Sequence, residues 1–146
     1  MYCVREWTEE KKKSLLDFIL SRSNEYKFWQ DTDVVDVTIM GSYAYGNATE
    51  KSDIDAVIWV RTKRDLSGKF VIANPMAGDT FDGVQVEIRV RSQKDYEDGK
   101  FGIKKPNTDI WWDLPLYSLS TGLYHEGALE DLKDFYKFRR KNYKIG

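Results

Sequence analysis

The sequence predicts a single α/β (α+β) domain, because three strand patterns lie between two helical patterns. The strand patterns are Val34 to Met40, Asp53 to about Arg61, and Val84 to Arg91. The helical patterns run from about Glu9 to Asn24 and from about Ala128 to Lys141. The chain has 146 residues, the size of one ordinary domain, and no linker or internal repeat divides it.

The first helix is predicted from its start signal and its apolar period. Thr8 is a suitable N-cap, and Glu9 and Glu10 place negative charge in the first turn, which suits the helix dipole. Apolar residues then recur at helical spacing, at Leu15, Leu16, Phe18 and Ile19.

The first two strands differ in their hydrophobic patterns. In Val34 to Met40 the apolar residues alternate with Asp36 and Thr38, which predicts a half-buried strand. The apolar run that follows Asp55 predicts a strand covered on both faces.

The later strands are predicted from alternation and from turn residues. Val84 to Arg91 places four apolar residues on one face and polar residues on the other, among them Glu87 and Arg89. Lys69 to Ala73 is a candidate short strand, and Tyr96 to Asp109 is predicted to be a loop because it carries two glycines and a proline.

Composition and charge restrict the function classes. Hydrophobic residues make up 41% and charged residues 32% of the chain, and the formal net charge of -1 gives no global attraction to nucleic acid or membrane. The polar residues 1–13 contain no secretory signal pattern, and no apolar run could span a bilayer. The single cysteine, Cys3, allows no internal disulfide. We therefore expect a cytoplasmic protein without a membrane partner.

Two aspartates carry the clearest chemical pattern. Asp53 and Asp55 lie two residues apart on a predicted strand, so they face one side with their Cα atoms roughly 7 Å apart. Like charges held this close repel each other, and a divalent cation between them relieves the repulsion. Carboxylate oxygens suit Mg²⁺, which commonly binds few protein ligands together with water and phosphate.

Gly41 and Ser42 predict the complementary half of the site, an anion cradle. Glycine lets the backbone approach a ligand closely, and N–H groups at a strand-to-helix turn bind phosphate oxygens, with the Ser42 hydroxyl as a further donor. A third carboxylate is expected on a neighbouring strand, and Glu87 is the best candidate. Arg89 shares its face and is suited to meet phosphate.

The string from Gly41 to Asp55 resembles the signature of the DNA polymerase β-like nucleotidyltransferase superfamily. That signature is a hydrophobic residue, Gly-[Gly/Ser], an intervening loop and then Asp-hydrophobic-Asp. The chain is most similar to small members, such as the minimal nucleotidyltransferases of toxin–antitoxin pairs and the drug-modifying nucleotidyltransferases. The matching positions are Gly41, Ser42, Gly46, Ala48, Ser52, Asp53, Ile54 and Asp55.

The resemblance implies a nucleotidyltransferase fold, with a mixed β-sheet of about 4–5 strands flanked by helices. The domain would span residues 1–146 and end in a short helix and a basic tail. Two Mg²⁺ ions are implied, for which Mn²⁺ can substitute, with a nucleoside triphosphate donor, ATP being favoured. Asp53, Asp55 and Glu87 would act as catalytic metal ligands, and the nucleotide would contact Gly41, Ser42, Ser52 and Arg89.

The expected reaction is transfer of a nucleoside monophosphate, AMP in the favoured case, to an acceptor hydroxyl with release of pyrophosphate. The acceptor is a protein, a small molecule or a nucleic acid, and a protein leads by analogy with the minimal members. The alternative is a non-catalytic, antitoxin-like module that keeps the fold and binds a nucleotide or a partner.

Several other residues have a structural and a functional interpretation. Trp111 and Trp112 are interpreted as core residues rather than a base-stacking platform. His125 is interpreted as an incidental surface residue rather than a general base. Residues 137–144 hold five cations and no acid; we favour a solvated helix end, with nucleic-acid contact as the alternative. Tyr45 stands where small family members often carry arginine.

Overall fold

The computed structural model describes residues 3–23, 34–46, 48–61, 70–73, 80–93, 103–104, 106–109, 111–112 and 116–125. Its helical elements are a 3-10 turn (Val4–Glu6), α1 (Glu9–Ser23) and α2 (Ser42–Tyr45). Its strands are β1 (Val34–Met40), β2 (Ile54–Val60), β3 (Phe70–Ala73), β4 (Thr80–Phe81), β5 (Val84–Ser92), β6 (Ile103–Lys104), β7 (Trp111–Trp112) and β8 (Tyr117–Ser118). The predicted helix from Ala128 to Lys141 and the basic tail lie outside the described residues.

The main sheet is mixed, as the resemblance implies, and the α+β class is confirmed. Five strands lie in the order β3-β5-β2-β1-β8, and the short β4 also pairs with β5. β2 and β5 run parallel, whereas β1 pairs antiparallel with both β2 and β8. The strands β6 and β7 form a separate two-stranded ladder. Two central strands with a parallel register therefore form the middle of the sheet.

Helix α1 covers one face of this sheet. Its start is capped as predicted, because the Thr8 Oγ1 accepts a hydrogen bond of 3.2 Å from the Lys11 backbone N–H. Leu15 and Ile19 are fully buried and join a core cluster that includes Ile54 of β2. The apolar stripe of the helix thus packs on the sheet, which leaves the opposite sheet face for other groups.

The expectation of a half-buried β1 is wrong. Asp36 and Thr38 are buried, because β1 lies between β2 and β8 and both side chains find partners there. Asp36 Oδ1 accepts a 2.8 Å hydrogen bond from the Ser118 hydroxyl, and Thr38 Oγ1 accepts one of 2.9 Å from the Trp59 indole N–H. Val35 is instead the exposed residue, at an irregularity in the β1–β2 register.

The other strand predictions are confirmed, apart from one short element. The apolar run of β2 after Asp55 is buried on both faces, and the apolar side of β5 is fully buried at Val86, Ile88 and Val90. The predicted loop from Tyr96 to Asp109 contains the two-residue β6, which is too short for a hydrophobic period to reveal. No helix among the described residues is long and apolar enough to cross a bilayer.

Candidate active site

The candidate site lies on the sheet face that α1 does not cover. Ile54, Ala56 and Ile58 of β2 belong to the core cluster that contains the buried residues of α1. Because side chains alternate along a strand, Asp55 and Val57 point to the opposite face. Val57 accordingly belongs to a second, smaller cluster on that face.

Strand register brings the predicted acidic residues together on this face. Asp55 pairs with Met40 of β1 on one side and with Glu87 of β5 on the other. Paired residues of adjacent strands project to the same side at a strand spacing of about 4.8 Å. Asp53 lies just before β2, and its charge acts on Asp55. The three carboxylates predicted from sequence therefore form one electrostatic group.

Burial and repulsion perturb the central carboxyl of this group. The pKa of Asp55 is raised from 3.8 to about 6, first because burial disfavours the charged form and then because Glu87 is negative. The Arg89 cation opposes this effect, and Asp53 adds to the rise. An additional cation at this position would stabilise the ionised form of Asp55.

Arg89 contacts the third carboxylate directly. Its Nε donates to the Glu87 Oε1 at 2.7 Å, and its Nη2 lies 2.7 Å from the same oxygen. The guanidinium predicted to meet phosphate therefore pairs with a carboxylate in this structure. No group of three acidic, histidine or cysteine side chains in the described part of the chain is arranged to hold a metal ion. The metal cage at Asp53, Asp55 and Glu87 stays a prediction.

Gly41 brings the turn after β1 directly against Asp55. A Cβ built on Gly41 would lie 2.8 Å from the Asp55 Oδ2, closer than real Cβ atoms approach. The residue also has φ 72° and ψ -156°, a region that residues with a side chain rarely adopt. Glycine is required here on both grounds, which explains the first position of the predicted cradle.

The short helix α2 begins at Ser42, immediately after this turn. The Ala44 and Tyr45 N–H groups both donate to the Gly41 carbonyl, and the Gly46 N–H closes the helix on the Ser42 carbonyl. The Ser42 hydroxyl has no hydrogen-bond partner within the described residues. Ser42 is thus available at the position predicted to bind phosphate, although that role stays a prediction.

Ser52 closes the loop that leads to the aspartates. Its hydroxyl accepts a 2.8 Å hydrogen bond from the Thr49 N–H, and its own N–H donates to the Thr49 carbonyl at 3.0 Å. These bonds give Ser52 a place in the turn that orients Asp53. Direct contact between Ser52 and a nucleotide stays a prediction.

Two residues that contact α2 were not predicted from the sequence, Tyr124 and Cys3. The Tyr124 hydroxyl donates to the Ala44 carbonyl at 2.6 Å, and Cys3 Sγ lies 3.6 Å from that hydroxyl. Both residues are distant from α2 in the sequence, so no local pattern could indicate these contacts. His125, the next residue, is half-buried and lines a pocket, and its interpretation as an incidental surface residue stays a prediction.

The comparison with protein families gives the class of this protein, a nucleotidyltransferase. The chain belongs to the nucleotidyltransferase domain family, which matches residues 6–116. The match includes the turn at Gly41, both aspartates and Glu87, and it gives the activity class as nucleotidyl transfer. Comparisons with curated proteins and with solved structures found no match.

Proposed function

We propose that the protein transfers a nucleoside monophosphate, AMP in the favoured case, from a nucleoside triphosphate to an acceptor hydroxyl. The observation that carries this proposal is the position of Asp55, which has Gly41 against it on one side and Glu87 paired with it on the other. Family membership supports the transferase class. The donor base, the metal and the acceptor are the finer parts of the proposal.

Magnesium is the proposed cofactor because the site offers oxygen ligands with excess negative charge. Asp53 and Asp55 would hold Mg²⁺, and Glu87 would complete the set on leaving Arg89; Mn²⁺ can substitute. The raised pKa of Asp55 supports this fit, since a cation would favour the ionised form that burial and then the Glu87 charge disfavour. When bound, the ions would neutralise charge on the phosphate oxygens and on the leaving pyrophosphate.

The order of groups across the sheet supports one direction for the proposed reaction. Ser42 and the amides of its turn would bind the β- and γ-phosphates, so pyrophosphate leaves on the β1 side of Asp55. Displacement at phosphorus proceeds roughly in line, so the acceptor hydroxyl approaches from the β5 side. There Glu87 would take its proton while the new P–O bond forms and the bond to pyrophosphate breaks.

Arg89 has a role on both sides of this step. Before ligands bind, it pairs with Glu87 and offsets part of the local negative charge. Since Arg89 is exposed and carries several donors, it can turn from the carboxylate to a phosphate oxygen when a metal ion takes its place.

The acceptor class and the cellular setting belong to the same proposal. A protein acceptor leads by analogy with minimal family members, with a small hydroxyl compound or a nucleic acid end as alternatives. Nucleic acid would be met by residues 137–144, which lie outside the described residues. We retain a cytoplasmic location without a membrane partner as an expectation.

Label transfer in a cell extract tests the proposal. The extract receives Mg²⁺ and ATP labelled at the α-phosphate, together with the wild type, Asp55→Asn or Asp17→Asn. Asp17 is exposed on α1, so its variant is a matched control for loss of one carboxylate. Labelled product with the wild type and Asp17→Asn alone supports the proposal and reveals the acceptor. Equal labelling in all three refutes it, and ATP binding without any labelled product favours the non-catalytic, antitoxin-like module.

A further inference from the structure

A pocket beside β1 and β8 opens on the same sheet face as Asp55. Its volume is about 320 Å³, within the usual range for small-ligand sites. Asp36 and Thr38 of β1, Ser118 of β8 and the neighbouring Leu116 and His125 contribute to its lining. Leu116 shares a buried cluster with Val57, which confirms that this lining is on the Asp55 side.

Strand pairing gives the distance between this pocket and the aspartates. Ser118 pairs with Thr38, which lies two residues along β1 from Met40, the partner of Asp55. Two residues of strand correspond to about 7 Å. The pocket therefore begins at Thr38, about 7 Å along β1 from Met40, and Asp36 lies four residues, or about 14 Å, from Met40.

Asp36 is a buried carboxylate with one oxygen committed to the protein. The residue is 9% exposed, and its Oδ1 accepts hydrogen bonds from the Val37 N–H at 2.7 Å and from the Ser118 hydroxyl at 2.8 Å. Its Oδ2 has no hydrogen-bond partner within the described residues. An acceptor without a partner among these residues, on a side chain that lines the pocket, favours a ligand that brings an N–H donor.

The direction of the proposed reaction indicates which substrate lies here. The acceptor hydroxyl would approach from the β5 side of Asp55, whereas the pocket lies on the β1 side. The triphosphate would occupy the turn at Gly41, on this same side, so the part of the donor left to place is its nucleoside.

We propose that this pocket receives the nucleobase of the donor, and that Asp36 selects bases with an exocyclic amino group. The carboxylate accepts from such an amino group, but it meets the oxygen of a keto base with repulsion. Leu116 offers an apolar wall for the ring. This inference rests on the proposed function, because the position of the triphosphate comes from it.

The substitution Asp36→Asn tests the selection with little change in shape. The amide oxygen can keep both bonds that Oδ1 accepts, while the amide nitrogen replaces Oδ2 by a donor. The wild type should bind ATP about tenfold or more tightly than inosine triphosphate, which has an oxygen in place of the amino group. Asp36→Asn should remove or reverse that preference.

Calorimetric titration with Mg²⁺ and three probes measures the effect. The probes are ATP, inosine triphosphate and inorganic tripolyphosphate, which reports on the phosphate cradle alone. Asp36→Asn should leave tripolyphosphate affinity unchanged, and the exposed control Asp17→Asn should leave all three affinities unchanged. If Asp36→Asn does not fold, Ser118→Ala serves instead, because it removes the hydrogen bond that orients the carboxylate and should therefore lower the ratio of ATP to inosine triphosphate affinity.

Each other outcome counts against the inference. An unchanged ratio in Asp36→Asn, or an equal loss of affinity for all three probes, overturns the base pocket even if label transfer requires Asp55. A shifted ratio together with failed label transfer keeps the base pocket and rejects the catalytic proposal. A wild type that binds none of the probes rejects both.

Discussion

Replacing Gly41 by alanine should separate the geometry of the site from the stability of the fold. The new Cβ would lie 2.8 Å from the Asp55 Oδ2, at a residue with φ 72° and ψ -156°. The backbone strain should cost about 1–3 kcal/mol. The steric contact is relieved when the carboxylate moves away from the turn, so its main effect is a displaced Asp55. We therefore expect Gly41→Ala to lose Mg²⁺-dependent ATP binding and transfer.

Gly83→Ala is the matched control for the strain. Gly83 has φ +80°, and a Cβ built there meets no atom within 4 Å. It should cost about 1–2 kcal/mol from the left-handed backbone alone. In a chain of this size, each kcal/mol lowers Tm by roughly 2–4 °C. Thermal unfolding measures the loss of stability in each of the two variants. Titration with ATP, at a temperature below the lower of the two Tm values, measures the change in ATP affinity. Wild-type ATP affinity in Gly41→Ala, or an equal loss in Gly83→Ala, would refute the reasoning.

Three further perturbations test the surroundings. The folded-state pKa of Asp55 is raised to about 6, so ionisation of Asp55 opposes folding. The free energy of unfolding of the wild type, measured in urea, should therefore fall as pH rises from about 4 to 7, and Asp55→Asn should remove that fall. Thr38→Val leaves the buried Trp59 N–H without its acceptor and should cost about 1–3 kcal/mol in the same assay; an unchanged midpoint would show that this bond is not needed. Tyr124→Phe removes the donor to the Ala44 carbonyl, which should cost about 1 kcal/mol and weaken ATP binding; unchanged binding would mean that the hydroxyl does not hold α2.

Local patterns predicted the parts of this fold whose cause is local. The N-cap at Thr8 and the bounds of β1 follow from residues within a few positions of each other. The turn at Gly41 and the aspartate pair belong to one short string, so a sequence can reveal them together. Alternation along β5 likewise indicated that Glu87 and Arg89 share a face, which their contact confirms.

Pairings between distant segments could not be predicted in this way. The position of Glu87 beside Asp55 depends on a parallel register between strands separated by a long stretch of chain. Asp36 was interpreted as a solvent-side residue of a half-buried strand, because its hydrogen-bond partner Ser118 lies 82 positions away. The pocket at His125 could not be predicted for the same reason, since its lining comes from β1 and from residues 116–125, which are far apart in the sequence.

The charges of the candidate site lower the stability of the protein when no metal ion is bound. Asp55 is partly buried beside Glu87 and within reach of the charge of Asp53, so its ionised form is disfavoured in the folded chain. Among the described residues, the cation in contact with this group is the Arg89 guanidinium, which lies on Glu87. A fold selected for stability would gain by replacing Asp55 with an uncharged residue. A divalent cation bound at the site would offset this repulsion, because the carboxylates would then coordinate the metal. Metal binding should therefore raise stability most above pH 6, where the unrelieved charge is greatest.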